Sequence, residues 1–191
     1  MKKLLIISLF IPLISFGQTG REYFESGMSK SELKDYYGAI SDFTKAIELL
    51  PNYSVLYSVR GDAKDGLKDY YGAISDYTKA IELDPNDEDG YADRGNVKYE
   101  LKDYSGAISD FTKAIELNSN NRYFYSDRGD AKYELKDYYG AISDYTKAIE
   151  LSPPNVWYDY GNRGDAKDIL KDYYGAISDY TKAIELNPND G

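Results

Sequence analysis

The side chains of this chain that could do chemistry are carboxylates, tyrosines and a periodic set of bases, and they recur along the sequence. Arg60, Arg94, Arg128 and Arg163 each precede a lysine by four, at Lys64, Lys98, Lys132 and Lys167, while Asp76, Asp110, Asp144 and Asp179 recur farther on. Like charges four apart repel mildly. The expected arrangement is a ladder in which these bases bridge to the aspartates between successive units, their carbon stems buried along the seam. The sequence has no histidine and no cysteine, which removes the usual general base, the thiol nucleophile and the transition-metal ligands. Paired carboxylates alone can hydrolyse glycosides, yet no two acids stand apart from the rest, because all recur with one period. The reading is non-enzymatic, with no catalytic residue, cofactor or metal. The run DPNDEDG, Asp84 to Gly90, hints at a calcium loop, but its glycine falls one place late. It reads as a turn between units.

The elements that carry these residues follow from a repeat. The stretch LKDYYGAISDYTKAIEL stands unchanged at 67–83, 135–151 and 170–186, with near-copies at 33–49 and 101–117. Leu33, Leu67, Leu101 and Leu135 are 34 residues apart, and Leu170 follows after 35, the extra residue falling near Pro153, Pro154 and Val156. That period with two helical segments per unit is a stacked-repeat signature. In the constant half, Tyr70, Ala73, Ile74, Tyr77, Ala80, Ile81 and Leu83 form one apolar stripe at helical spacing. Asp69 is placed to cap the helix and Pro85 to stop it. Gly72 in the first turn costs up to about 1 kcal/mol relative to alanine. The variable half, such as Ser54 to Gly66, reads as a second helix with Tyr57, Gly61, Lys64 and Leu67 on one face. The glycine recurring at 61, 95, 129 and 164 predicts close approach of a packed neighbour.

These residues resemble the tetratricopeptide repeat family. Its pattern is an aromatic, Leu-Gly, Tyr, then Ala, a second aromatic and Pro. Here the second unit reads Tyr57, Arg60-Gly61, Lys64, Ala73, Tyr77 and Pro85, and the fourth reads Tyr125, Arg128-Gly129, Lys132, Ala141, Tyr145 and Pro153. The first unit is degenerate, with Tyr23, Ser26-Gly27, Lys30, Ala39, Phe43 and Pro51. The resemblance implies an all-α fold, a right-handed α-solenoid of stacked antiparallel helix pairs. Its repeats would lie at about 20–53, 54–87, 88–121, 122–156 and 157–190 of a domain spanning 18–191.

What the family's groove positions imply for function is a concave surface lined by the first helix of each pair. In this sequence they fall on Asp62, Asp65, Asp89, Asn96, Tyr99, Glu100, Tyr123, Asp130, Tyr133, Glu134, Tyr158, Asp165 and Asp168. Across the second to fifth units no lysine or arginine shares that face, so an acidic groove studded with tyrosine is expected. The first unit adds Arg21, Phe24, Met28, Ser31 and Glu32, a more apolar end. Such a groove would hold a peptide or protein segment, a basic one by charge.

The N-terminal run MKKLLIISLFIPLISFGQ has a basic start and an apolar stretch too short to span a bilayer comfortably, the pattern of a secretory signal peptide over 1–17. The expectation is an exported protein, periplasmic or secreted, of a bacterial envelope, with no stable membrane span after cleavage. Without Lys2 and Lys3 the net charge is about −12, which repels nucleic acid at long range. Two further expectations concern partners. Tyr37, Tyr71, Tyr139 and Tyr174, among 22 tyrosines, should project at regular intervals and could stack on an envelope glycan or peptidoglycan. The last constant helix, with Tyr180, Ala183, Ile184 and Leu186, would be left uncovered and open to end-to-end self-association.

Overall fold

In the computed structural model the described residues are 4–151 and 156–188, with side chains described for 18–151 and 156–188. The side chains of the leader, the insertion around Pro153 and Pro154 and the end of NPNDG lie outside them. The chain forms two compact units, Met1–Asn86 and Asp87–Gly191. The first holds α1 (Leu4–Glu32), α2 (Tyr36–Leu49), α3 (Ser54–Gly66) and α4 (Tyr70–Leu83). The second holds α5 (Glu88–Glu100), α6 (Tyr104–Leu117), α7 (Arg122–Glu134), α8 (Tyr138–Leu151), α9 (Trp157–Ile169) and α10 (Tyr173–Leu186). The fold is all-α, and within each unit the helices stack as consecutive pairs. Among the described residues no helix is long and apolar enough to cross a membrane.

Each pair is built by the same short turn. The A helix ends in a left-handed residue, Lys136 at φ 64° in the fourth repeat. There the Lys136 amide donates to the Tyr133 carbonyl at 2.8 Å and the Asp137 amide to the Lys132 carbonyl at 2.9 Å. This is the bonding of a Schellman stop, where glycine is usual. Asp137 then begins the B helix at once, accepting from the Gly140 amide at 3.0 Å. A Cβ on Gly140 would overlap that carboxylate. The glycine that looked like a cost in the sequence is what leaves room for the cap.

The core is small and regular. Alanines of the B helix lie at full burial beneath one ring per repeat, Phe43, Tyr77, Phe111 or Tyr145, and that ring lies against the A-helix glycine. At Gly129 a Cβ would meet the Tyr145 ring at 2.8 Å, the close approach that the recurring glycine predicted. In the first unit Ala46, Ile47 and Leu56 pack with Tyr23, Phe24 and Tyr57, joining α1, α2 and α3. In the second, Ala107, Phe111 and Ala114 pack with Phe124 and Ala131, joining α6 to α7. A buried leucine or phenylalanine side chain contributes roughly 1.5–3 kcal/mol, so each helix depends on its neighbours. On α10, Ile177 and Ile184 are each 62% exposed, although the identical stripe of α8 is covered by α9.

Candidate functional site

The ladder of bases is present, but it runs differently from the sequence expectation. Each arginine bonds the aspartate of its own repeat. Arg128 donates from Nε to Asp144 Oδ2 at 2.9 Å and from Nη2 to Oδ1 at 2.7 Å, and Lys132 Nζ lies 2.7 Å from Asp144 Oδ2. Arg60, Arg94 and Arg163 hold Asp76, Asp110 and Asp179 in the same two-pronged way, with Lys64, Lys98 and Lys167 as third partners. The aspartates are buried. Burial works against ionised Asp179, but Arg163 and Lys167 outweigh it and leave its carboxyl below the usual range. The link between repeats is instead the remaining guanidinium nitrogen. Arg60 donates to Thr44 at 3.1 Å, Arg128 to Thr112 at 3.1 Å and Arg163 to Thr146 at 3.0 Å. The bridging aspartate comes from the same repeat because it sits one helical hairpin away, on the face that the A helix already covers. In the first repeat Ser26 and Lys30 hold Asp42. With every cation of this set committed to an aspartate, the ladder is framework.

The opposite edge of the A helices carries the candidate site. In the second unit Tyr99, Asp130, Tyr133, Glu134, Tyr158 and Asp165, all expected groove residues, line one hollow of about 150 Å3 together with Tyr145 and Asn162. No lysine or arginine lines it. Asp130 is its hub. It accepts from the Tyr145 hydroxyl at 2.7 Å, the Asn162 amide at 2.9 Å and the Tyr158 hydroxyl at 3.1 Å. Burial pushes the Asp130 carboxyl up while these three donors pull it down. Tyr99 is pushed up to about 12, by burial first and then by the charges of Asp130 and Glu134. Two rim rings are fixed by edge contacts, Tyr99 on Tyr104 at 5.3 Å and Tyr133 on Tyr138 at 5.4 Å. A rigid, electronegative hollow walled by aromatic faces favours a cation.

Of the remaining expected residues, Asn96, Asp89, Glu100, Tyr123 and Asp168 are exposed but lie outside the lining of this hollow. Asp62 and Asp65 belong to the first unit, where Asp62 accepts from the Tyr77 hydroxyl at 2.8 Å. Of the more apolar end expected there, Arg21 and Phe24 line a separate hollow of about 450 Å3 with Glu25, Leu50, Tyr53, Val55 and Leu56, while Met28, Ser31 and Glu32 lie outside its lining. The sequence reading missed Asn162, Asp127 and Asp159. In the other A helices the place of Asp159 is taken by Glu22, Leu56, Gly90 and Phe124, a variable position whose acid in the first repeat keeps the sequence from singling Asp159 out.

Asp159 is fully buried and ties α9 to α7. It accepts from Ser126 at 2.5 Å and from Arg122 Nη1 at 2.8 Å. Burial raises its carboxyl, with Ser126 and Arg122 opposing. Asp127, one turn before Asp130, is pushed up to about 7 by burial first, then by Asp130 and Asp159, with Arg122 opposing. Among the described residues no cluster of carboxylates could hold a metal ion.

Comparison with known proteins places this geometry. Comparison with curated proteins finds no match. Among solved structures, a MamA protein aligns at a TM-score of 0.84 with 24% identity, covering 90% of this chain and 93% of that one. MamA 41-end from Desulfovibrio magneticus RS-1 aligns at 0.85 with 20% identity, covering 92% and 99%. YrrB, described as a TPR protein with an unusual peptide-binding site, aligns at 0.77 with 21% identity, covering 88% and 86%. At these identities the likeness establishes the fold. Two tetratricopeptide repeat family models match the sequence, one at residues 88–121 and 158–190 and the other at 23–53, 55–87 and 123–155. With five matched repeats over nearly the whole length from residue 23 onward, the chain belongs to the tetratricopeptide repeat family.

Proposed function

We propose that this chain is a scaffold of a bacterial envelope that binds a segment of another protein in the tyrosine-walled hollow of its second unit, and that the segment carries basic side chains. Tetratricopeptide repeats serve protein interaction, and that general role is what family and fold support. The observation that carries the finer reading is the lining of the hollow: four tyrosines and the carboxylates of Asp130, Glu134 and Asp165, with no cation among them. A lysine or arginine side chain entering it would meet ring faces and carboxylates in place of water. The described peptide-binding site of YrrB is a precedent for the fold. Export rests on the leader pattern alone, and a sequence that starts at Gln18 should be found at the N-terminus of protein recovered from the cell envelope.

The test is a peptide array of graded charge against the chain from residue 18. Basic aromatic-tolerant peptides should bind, the variant with Glu134→Gln and Asp165→Asn should lose about tenfold or more in affinity, and added salt should weaken binding. Equal binding of acidic peptides, or no effect of the variant, would overturn the reading. A second reading, glycan stacking, is favoured by Tyr37, Tyr71, Tyr139 and Tyr174, each more than three-quarters exposed. Salt-insensitive binding of envelope glycans, lost on Tyr139→Ala, would favour it. Exposed Ile177 and Ile184 support self-association through α10, which sedimentation over a concentration series reads directly.

A further inference from the structure

The acids of the tyrosine-walled hollow are not equally open to an incoming cation. Asp130, its half-buried hub, accepts on Oδ1 from the Tyr145 hydroxyl at 2.7 Å and the Asn162 amide at 2.9 Å, and on Oδ2 from the Tyr158 hydroxyl at 3.1 Å. A carboxylate oxygen has two acceptor positions, so Oδ1 is full and Oδ2 has one position beyond the Tyr158 bond. The other two acids of the lining, Glu134 and Asp165, are exposed. Asp165 gives Oδ1 to the Tyr180 hydroxyl at 2.8 Å, and Glu134 bonds Tyr104. The donor that closes Asp130 Oδ1 is particular to this hollow. The other A helices carry Glu25, Val59, Asp93 and Asp127 at the place of Asn162, none of which can donate while ionised or apolar.

A guanidinium pairs with a carboxylate through two parallel bonds, which need an open position on each oxygen of one acid. Asp130 cannot supply them without giving up Tyr145 or Asn162. The exposed acids can, but an arginine held there stays in water, where an ion pair contributes little. An ammonium is a compact point charge whose three donors need no common plane. It can pass the rings of Tyr99, Tyr133 and Tyr158, which favour a cation, and take single positions on separate acids. On the reading that this hollow takes a basic segment, we propose that it selects lysine over arginine: the ammonium takes the open position on Asp130 Oδ2 and bonds Glu134 and Asp165. Tyr145 and Asn162 are then the specificity-determining residues, because they fill the oxygen that an arginine fork would need.

The experiment is calorimetric titration of the full chain with peptides identical but for one central residue, lysine, arginine or norleucine, and otherwise free of cations. The lysine peptide should bind about tenfold or more tighter than the arginine peptide, and the norleucine peptide should lose most of the affinity. The double variant Tyr158→Phe, Asn162→Ala keeps a ring in the wall and opens a position on each Asp130 oxygen. In it the arginine peptide should gain affinity and the preference should shrink toward parity. Equal or tighter binding of arginine by the unmodified chain, or a preference unchanged in the variant, would overturn the selection and leave the peptide reading standing. Binding of neither cationic peptide would overturn both. The carbon-13 shift of the Asp130 carboxyl in the unmodified chain makes the test independent of the variant's folding. It should move with the lysine peptide and stay with the arginine one, and the reverse sinks the proposal.

Discussion

The Tyr145 hydroxyl donates to Asp130 Oδ1 at 2.7 Å across one helical hairpin, and the same bond joins Tyr77 to Asp62 and Tyr180 to Asp165 at 2.8 Å. Where the B helix carries phenylalanine instead, at Phe43 and Phe111, the residue fifteen earlier is Met28 or Asn96. Ring and partner change together. A buried hydroxyl without an acceptor is costly, so the core ring fixes which A-helix residue may stand at the edge of the groove.

This pairing can be transplanted. Phe111→Tyr alone should destabilise the chain by about 1–2 kcal/mol, and adding Asn96→Asp should recover about 1 kcal/mol of it as coupling energy. Urea unfolding of the two single variants and the double variant measures the cycle. Additive effects would mean the bond contributes nothing.

Removal of one ladder arginine should be severe. Arg128→Ala leaves Asp144, 4% exposed, with Lys132 alone, and the loss should approach the roughly 3–5 kcal/mol of a broken buried pair. Arg128→Lys should recover only part, because an ammonium cannot form the two parallel bonds or reach Thr112. Thermal melts of the three proteins decide this.

Two glycines should respond oppositely to alanine. Gly140→Ala drives a methyl into the Asp137 cap and should cost about 1–2 kcal/mol. Gly161, inside α9, has nothing within 4 Å of a Cβ, so Gly161→Ala should stabilise by up to about 1 kcal/mol. Calorimetry on both variants would show the difference in sign.

Lys136 holds a left-handed backbone at φ 64°, as do Lys34, Lys68, Lys102 and Lys171. Each is strained by roughly 1 kcal/mol relative to glycine. Lys136→Gly should therefore leave stability unchanged or raise it, despite the added freedom of the unfolded chain. A marked fall in melting temperature would show that the lysine side chain makes a contact of its own.

The repeat, its helical hairpins, the aspartate cap and the glycine beneath the core ring were all legible in the sequence. They are local: a 34-residue period, a 3.6-residue stripe and a cap are set by neighbours along the chain. Six of the expected groove residues do line one hollow, because the A helices of one unit present the same edge repeatedly. Tertiary structure decided the rest. Whether an arginine reaches the aspartate of its own hairpin or of the next depends on how helices cross. That Asp159 of α9 meets Arg122 and Ser126 of α7 depends on distances between those helices that no periodicity encodes. Charge pairing acts through space, and only packing determines the spacing.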